Sequence, residues 1–116
     1  VQNERKYGLE DRTLEFAREV SAYCEKAPRT MSNSEYCRQA IRSSGSVGAN
    51  YIEANEALSK RDFIMRIKIL REEEKETRYW LRLIFSKAES VKQQEGLIQE
   101  STELMKIIGA ILGKSE

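Results

Sequence analysis

The sequence contains no histidine. That removes the commonest general base and the commonest imidazole metal ligand. It also excludes the Glu-x-x-His ligand sets of di-iron helical bundles. There are two cysteines, Cys24 and Cys37. Without a histidine beside them neither is activated as a nucleophile, and two thiols make neither a disulfide framework nor a metal site. The expected setting is a reducing cytoplasm. One proline and six glycines in 116 residues are too few turn formers for a chain of short strands. No Gly-rich phosphate loop occurs. No run approaches the roughly 18 apolar residues of a membrane span, and Val1 to Gly8 are polar and charged, so no secretory signal is read there. An excess of one charge is also missing, since 20 basic and 19 acidic residues leave a net charge of +1. Mixed signs of this kind describe a solvated surface. No catalytic residue, metal or cofactor is expected, and the protein reads as a non-enzyme.

What the chain does contain is helical periodicity with regular punctuation. Apolar residues make up 40% and charged residues 34%, a balance that fits long amphipathic helices in one domain over residues 1–116. Ser32-Asn33-Ser34-Glu35 reads as a capping box, Ser59-Lys60-Arg61-Asp62 nearly matches, and Ser90-Val91-Lys92-Gln93 matches again. After an N-terminal arm at 1–8, four helices are predicted at about 9–27, 33–58, 60–87 and 91–113. Pro28 stops the first. The inward stripes are Leu14, Phe16, Ala17, Val20, Tyr23 and Cys24, then Tyr36, Ala40, Val47, Tyr51, Ala54 and Leu58. The third helix uses Phe63, Ile67, Leu70, Thr77, Leu81 and Ile84, and the fourth uses Leu97, Leu104, Ile107, Ile108, Ile111 and Leu112. Short connections make neighbours antiparallel. The fold class is all-α, an antiparallel up-down-up-down four-helix bundle. Cys24 and Cys37 lie about equally far from the break near Thr30. A hairpin there would bring them together, and the plainer reading is two small core residues.

The second helix carries an anomaly. Its middle, Arg42-Ser43-Ser44-Gly45-Ser46-Val47-Gly48-Ala49-Asn50, is poor in helix formers; each glycine costs about 1 kcal/mol relative to alanine. Close approach of another helix is the compensation that small residues allow. At four-residue spacing Arg38, Arg42, Ser46 and Asn50 share one face, and Glu53 continues it. Such a polar line bordered by small residues suits a helix–helix or subunit interface, against the alternative of an ordinary solvated face. On the third helix, Glu74 falls on the core spacing, with Glu73 and Glu76 beside it. A buried carboxylate needs a partner. The expectation is that Arg42 pairs with Glu73, Glu74 or Glu76. The same helix holds a candidate nucleic-acid-binding set, Lys60, Arg61, Arg66, Lys68 and Arg71, whose alternative is a set of solubilising charges. Tyr79 and Trp80 are adjacent, so they face different ways; one belongs to the core and the other is a candidate interface anchor, against the plainer reading that both pack in the core.

The run Arg42-x-x-x-Ser46-Val47-x-x-Asn50-x-x-Glu53, followed by Ser59, Asp62-Phe63 and Glu76 before Trp80-Leu81, resembles the bacterial four-helix bundle proteins encoded in intervening sequences of 23S ribosomal RNA genes. The resemblance covers nearly the whole chain. It implies an up-down bundle assembled as a ring-like homopentamer, with no established molecular function and a link to ribosomal RNA or ribosomes. A related branch, the accessory protein of diversity-generating retroelements, is a pentameric barrel that binds nucleic acid and a reverse transcriptase. The chain departs from the family pattern at Gly48, where many members have Pro, and at Ala54, where many have Gly.

Overall fold

The computed structural model of the protein describes residues 8–116. Helix α1 spans Leu9–Lys26, α2 Met31–Asn55, α3 Lys60–Leu83 and α4 Val91–Ser115, with a short 3₁₀ turn at Ala88–Ser90 leading into α4. The N-terminal arm read over residues 1–8 lies, Gly8 apart, outside the described residues. Cross-helix pairs run in opposite order along each neighbour: Ser43 meets Thr77 while Asn50 meets Arg66, and Arg78 meets Thr102 while Lys68 meets Glu116. The helices are therefore antiparallel in sequence order, as an up-down-up-down bundle requires. The α2–α3 seam is the most extensive and the α1–α4 seam the thinnest. None of the described helices is long and apolar enough to cross a membrane.

Phe16, Val20 and Tyr23 of α1 meet Ala40, Val47 and Ala54 of α2, Ile67, Leu70 and Leu81 of α3, and Leu97, Leu104, Ile108 and Leu112 of α4 in one apolar cluster. Each of the larger side chains contributes roughly 1.5–3 kcal/mol by leaving water. The inward face of α2 is made of small residues, and Ser43 and Ser44 are buried among them. Close packing is the reason at Gly48, where an added Cβ would stand 3.1 Å from Thr13 Oγ1 of α1. Gly45 differs: a Cβ there meets nothing within 4 Å. Its place in the helix has no explanation within the chain.

Several sequence expectations need correction. Leu14 and Leu58 were expected inward, yet Leu14 is 49% and Leu58 98% exposed. Leu58 lies outside a helix because α2 ends at Asn55. The backbone must become extended at Ser59, whose side chain accepts from the Asp62 N–H and caps α3 as predicted. The first cap is Thr30, not Ser32: Thr30 Oγ1 accepts from the Asn33 N–H at 3.1 Å, so α2 begins two residues before 33. Glu35 is turned to Arg38 instead of reaching back. Ser90 makes no capping bond, because the 3₁₀ turn already puts it in a helical conformation. Helix α4 runs on through Ser115, and α3 stops at Leu83, four residues before 87.

Side-chain amides account for that early stop. Asn33, buried at the start of α2, donates to the Pro28 and Phe85 carbonyls and accepts from the Phe85 N–H, each at 2.9 Å. It ties the α1–α2 loop to the α3–α4 loop. Gln94 Nε2 donates to the Leu81 and Ile84 carbonyls, both at 2.8 Å, and so satisfies acceptors that the end of a helix leaves open. Ser86 adds bonds to Tyr23 and Gln94. Replacing Asn33 with Ala strands part-buried peptide groups at Phe85 and Pro28. We expect Asn33→Ala to cost about 3 kcal/mol in urea unfolding; a loss under about 1 kcal/mol would contradict the clamp. The glycines separate in the same assay. Gly45→Ala should stabilise the helix by up to about 1 kcal/mol, whereas Gly48→Ala should give no gain, because Thr13 must yield.

Candidate functional site

The polar line on α2 divides between solvent and the α3 seam. Arg38 lies in water, paired with Glu35 at 2.8 Å one turn back. Arg42, half exposed, reaches across to α3, with Nη1 3.6 Å from Glu73 and Nη2 3.4 Å from Glu76. Asn50 Nδ2 donates to Ser46 Oγ and to the Ser46 carbonyl, while its Oδ1 accepts from Arg66 Nη1 at 3.1 Å. Ser46 thus orients an asparagine that holds an arginine of α3. Beside the Arg42 bridge, on the far side from Arg66, the buried Ser43 and Thr77 hydroxyls meet at 2.6 Å. Glu53 is exposed. Of this four-residue line, Arg42 and Asn50 bond to α3, and Ser46 bonds to Asn50 within α2. The ends of the line do not bond to α3.

Glu74 behaves unlike its two neighbours. It is 0% exposed and makes no pair with an arginine. Its Oε2 accepts from Ser101 Oγ of α4 at 2.7 Å, and its Oε1 has no hydrogen-bond partner. Burial pushes the carboxyl up to about 8, against the lowering effect of Ser101 and with a further rise from Glu100. At neutral pH it is a neutral acid in the core. Of the three carboxylates expected as partners of Arg42, Glu73 and Glu76 lie along the α2 flank and meet it, while Glu74 points inward to α4. Burial also raises Glu73, and Arg42 opposes that rise.

Charge is sorted between opposite corners of the bundle. At about 100° per residue, Lys60, Arg61, Lys68, Arg71, Lys75, Arg78 and Arg82 fall within about a third of the circumference of α3, on its outer flank toward α4. Lys68 meets Glu116 at 3.5 Å, Lys75 meets Glu72 at 3.5 Å, and Arg78 donates to Thr102 at 2.9 Å. The predicted basic set thus contains four members of this stripe, and Arg66 belongs elsewhere, bonded to Asn50. The outer face of α1 carries exposed Glu10, Asp11, Glu15, Glu19 and Glu25 against Arg18 and Lys26. Glu19 is raised, by burial and then by Glu15. Arg12 forks onto Glu100 of α4, with Nε at 2.6 Å and Nη2 at 2.9 Å. Of the aromatics, Trp80 is half-buried and stacks on Tyr36 at 6.1 Å between ring centres, while Tyr79 is exposed and meets Trp80 edge-on.

Some of these partners escaped the sequence reading. Ser101 had a signal: it falls on the core spacing between Leu97 and Leu104. Thr77 had already been placed inward, but Ser43 was seen only as one of several small residues. Asn33 was hidden inside a cap motif that assigned it no role. The Arg12–Glu100 fork joins residues 88 apart in sequence, and local spacing carries no trace of it.

These features define an all-α four-helix bundle whose second and third helices are joined by a hydrogen-bonded polar seam. The family model of the 23S rRNA-intervening sequence protein matches residues 5–110, and the chain belongs to that family. A crystal structure of a protein of unknown function from the S23 ribosomal protein family of Bacteroides thetaiotaomicron is similar, with 33% sequence identity and a TM-score of 0.72. The match covers 90% of this chain and 98% of that one. None of the curated proteins matches the chain.

Two substitutions read the seam. The unfolded chain releases the Glu74 proton near the ordinary value of 4.5, whereas the folded chain keeps it to about 8. Stability is therefore full below pH 4.5 and falls as pH rises toward 8, by up to about 1.4 kcal/mol per pH unit. Glu74→Gln mimics the protonated form, and its denaturation midpoint should lose this slope between about pH 5 and pH 8; a slope equal to the parent's would refute the assignment. Arg42→Met should cost less than about 1 kcal/mol, since the pair is half exposed and screened.

Proposed function

We propose that the protein is a non-enzymatic assembly protein whose copies associate into a homo-oligomeric scaffold, the ring-like pentamer that its family resemblance implies. The observation that carries this reading is the charge sorting. A basic stripe on α3 and an acidic face on α1 occupy opposite corners of one chain. Two such faces complement each other between copies but do not meet within one. Contacts of that kind are head-to-tail, and head-to-tail contacts close into rings when the rotation per copy allows it. Exposed Leu14 lies within the acidic face and gives it an apolar centre. Complementary charge contributes steering and register more than affinity.

Light scattering after size exclusion tests the proposal. A mass near five chains is expected at low salt, falling as salt rises. Lys68→Glu with Arg71→Glu should release monomers, and adding Glu15→Lys with Glu19→Lys should restore the assembly. A monomer at every salt concentration refutes the scaffold.

The same stripe favours a second reading, in which the protein binds the phosphate backbone of a nucleic acid, ribosomal RNA included. Its support is length. The stripe runs from Lys60 to Arg82, about 33 Å of helix at 1.5 Å per residue. Binding by several such cations is steeply salt-dependent. An electrophoretic shift at low salt that Lys68→Glu and Arg71→Glu abolish is the expected result. No shift at low salt removes this reading and leaves the scaffold standing.

A further inference from the structure

The chain's two cysteines meet across the first hairpin. Cys24 sits in the last turn of α1, and Cys37 in the second turn of α2. They are thirteen residues apart in sequence, and Cys24 Sγ lies 4.0 Å from the Cys37 carbonyl oxygen. Both are free and half-buried. They line a surface groove of about 310 Å³ together with Pro28, Asn33 and Arg38. Two core residues that merely filled space would be shut off from that groove. Neither the charged faces nor the α2–α3 seam uses them.

We propose that Cys24 and Cys37 form a reversible intramolecular disulfide that staples α1 to α2, with a low-molecular-weight disulfide such as oxidised glutathione as the oxidant. The reaction is two exchanges. Cys37 loses its proton to solvent, and its thiolate attacks one sulfur of the small disulfide. A mixed disulfide forms and one small thiolate leaves. The Cys24 thiolate then attacks the Cys37 sulfur, forming the Cys24–Cys37 bond and expelling the second small thiolate. Two protein thiols are oxidised, one small disulfide is reduced to two thiols, and the two thiol protons end on those products. The order follows the environment: burial raises both thiols, Cys24 further than Cys37. The less shielded sulfur therefore attacks first and the deeper one resolves. High thiol pKa values slow both steps, so the staple responds to sustained oxidation and not to a brief pulse.

The site matters because α1 is the helix with the thinnest packing on one side. The Arg12–Glu100 fork ties its first turns to α4, and Tyr23–Ser86 ties its end to the α3–α4 loop. A covalent link at Cys24 fixes that end to α2 instead. Closing so short a loop removes freedom mainly from the unfolded chain.

The test equilibrates the native full chain in glutathione buffers of graded ratio, traps free thiols with a maleimide and reads intact mass. We expect one species without maleimide at the oxidising end. It should be lighter than the reduced chain by two hydrogen atoms, run as a single chain on a non-reducing gel, and revert with dithiothreitol. Its melting temperature should exceed that of the reduced chain by roughly 10 °C. Cys24→Ser should stop at a mixed disulfide with one glutathione, and Cys37→Ser, which keeps only the deeper thiol, should form its mixed disulfide more slowly. The proposal is overturned if both thiols stay alkylatable at every ratio, if the disulfide joins different chains, or if the bond forms without raising the melting temperature.

Discussion

One buried amide holds two loops of this bundle in place. Asn33 bonds three peptide groups from two separate connections, and the polar end of the molecule is arranged around it. Phe85 cannot shift without losing both of its bonds to Asn33. Ser86, next in the chain, is thereby set against Tyr23 and Gln94, and Gln94 closes the end of α3. A buried peptide group with no partner is costly, so this arrangement limits how α1, α3 and α4 can end. The turn geometry follows from hydrogen-bond satisfaction at one asparagine more than from glycine or proline.

The same requirement operates along the α2–α3 seam, with different chemistry at each level. Arg42 meets two carboxylates at the half-exposed edge. Ser43 and Thr77 satisfy one another in the dry interior. Asn50, oriented by Ser46, holds Arg66 further along the seam. Hydroxyl pairs bring helices together without burying a charge, and that is compatible with the small residues lining α2. Glu74 is the exception. It places a carboxyl in the core and becomes neutral there, because one serine hydroxyl cannot offset the loss of water. Helix register is specified at such points more sharply than by apolar packing alone.

Most of the fold was legible because helical periodicity and helix stops are local properties. Phe16, Val20, Ile67, Leu70, Leu81, Leu104 and Ile108 sit where their spacing placed them. Boundaries were less legible. Thr30 caps α2 in place of Ser32 because its hydroxyl takes the Asn33 N–H, and α3 ends early because Phe85 is held from across the bundle. Such long-range causes leave no mark in a window of neighbouring residues. Within the candidate site, the four-residue spacing picks out Arg42 and Asn50, which bond to α3, and Ser46, which bonds to Asn50, while Arg38 and Glu53 at its ends face solvent. The basic set differs from the stripe that the fold assembles. Counting cations along the chain included Arg66, which turns toward α2, and omitted Lys75, Arg78 and Arg82, which share the outer flank.

The fork between Arg12 and Glu100 has a kinetic meaning. It joins the first helix to the last across 88 residues, whereas the hairpins between successive helices close over short loops. Loop-closure entropy rises with the length closed, and contacts between neighbours in sequence are reached sooner. The α1–α4 seam is therefore the contact with the highest entropic cost to close, and it is also the thinnest. Its two short, charge-assisted bonds act at the point where the order of helices around the bundle is completed.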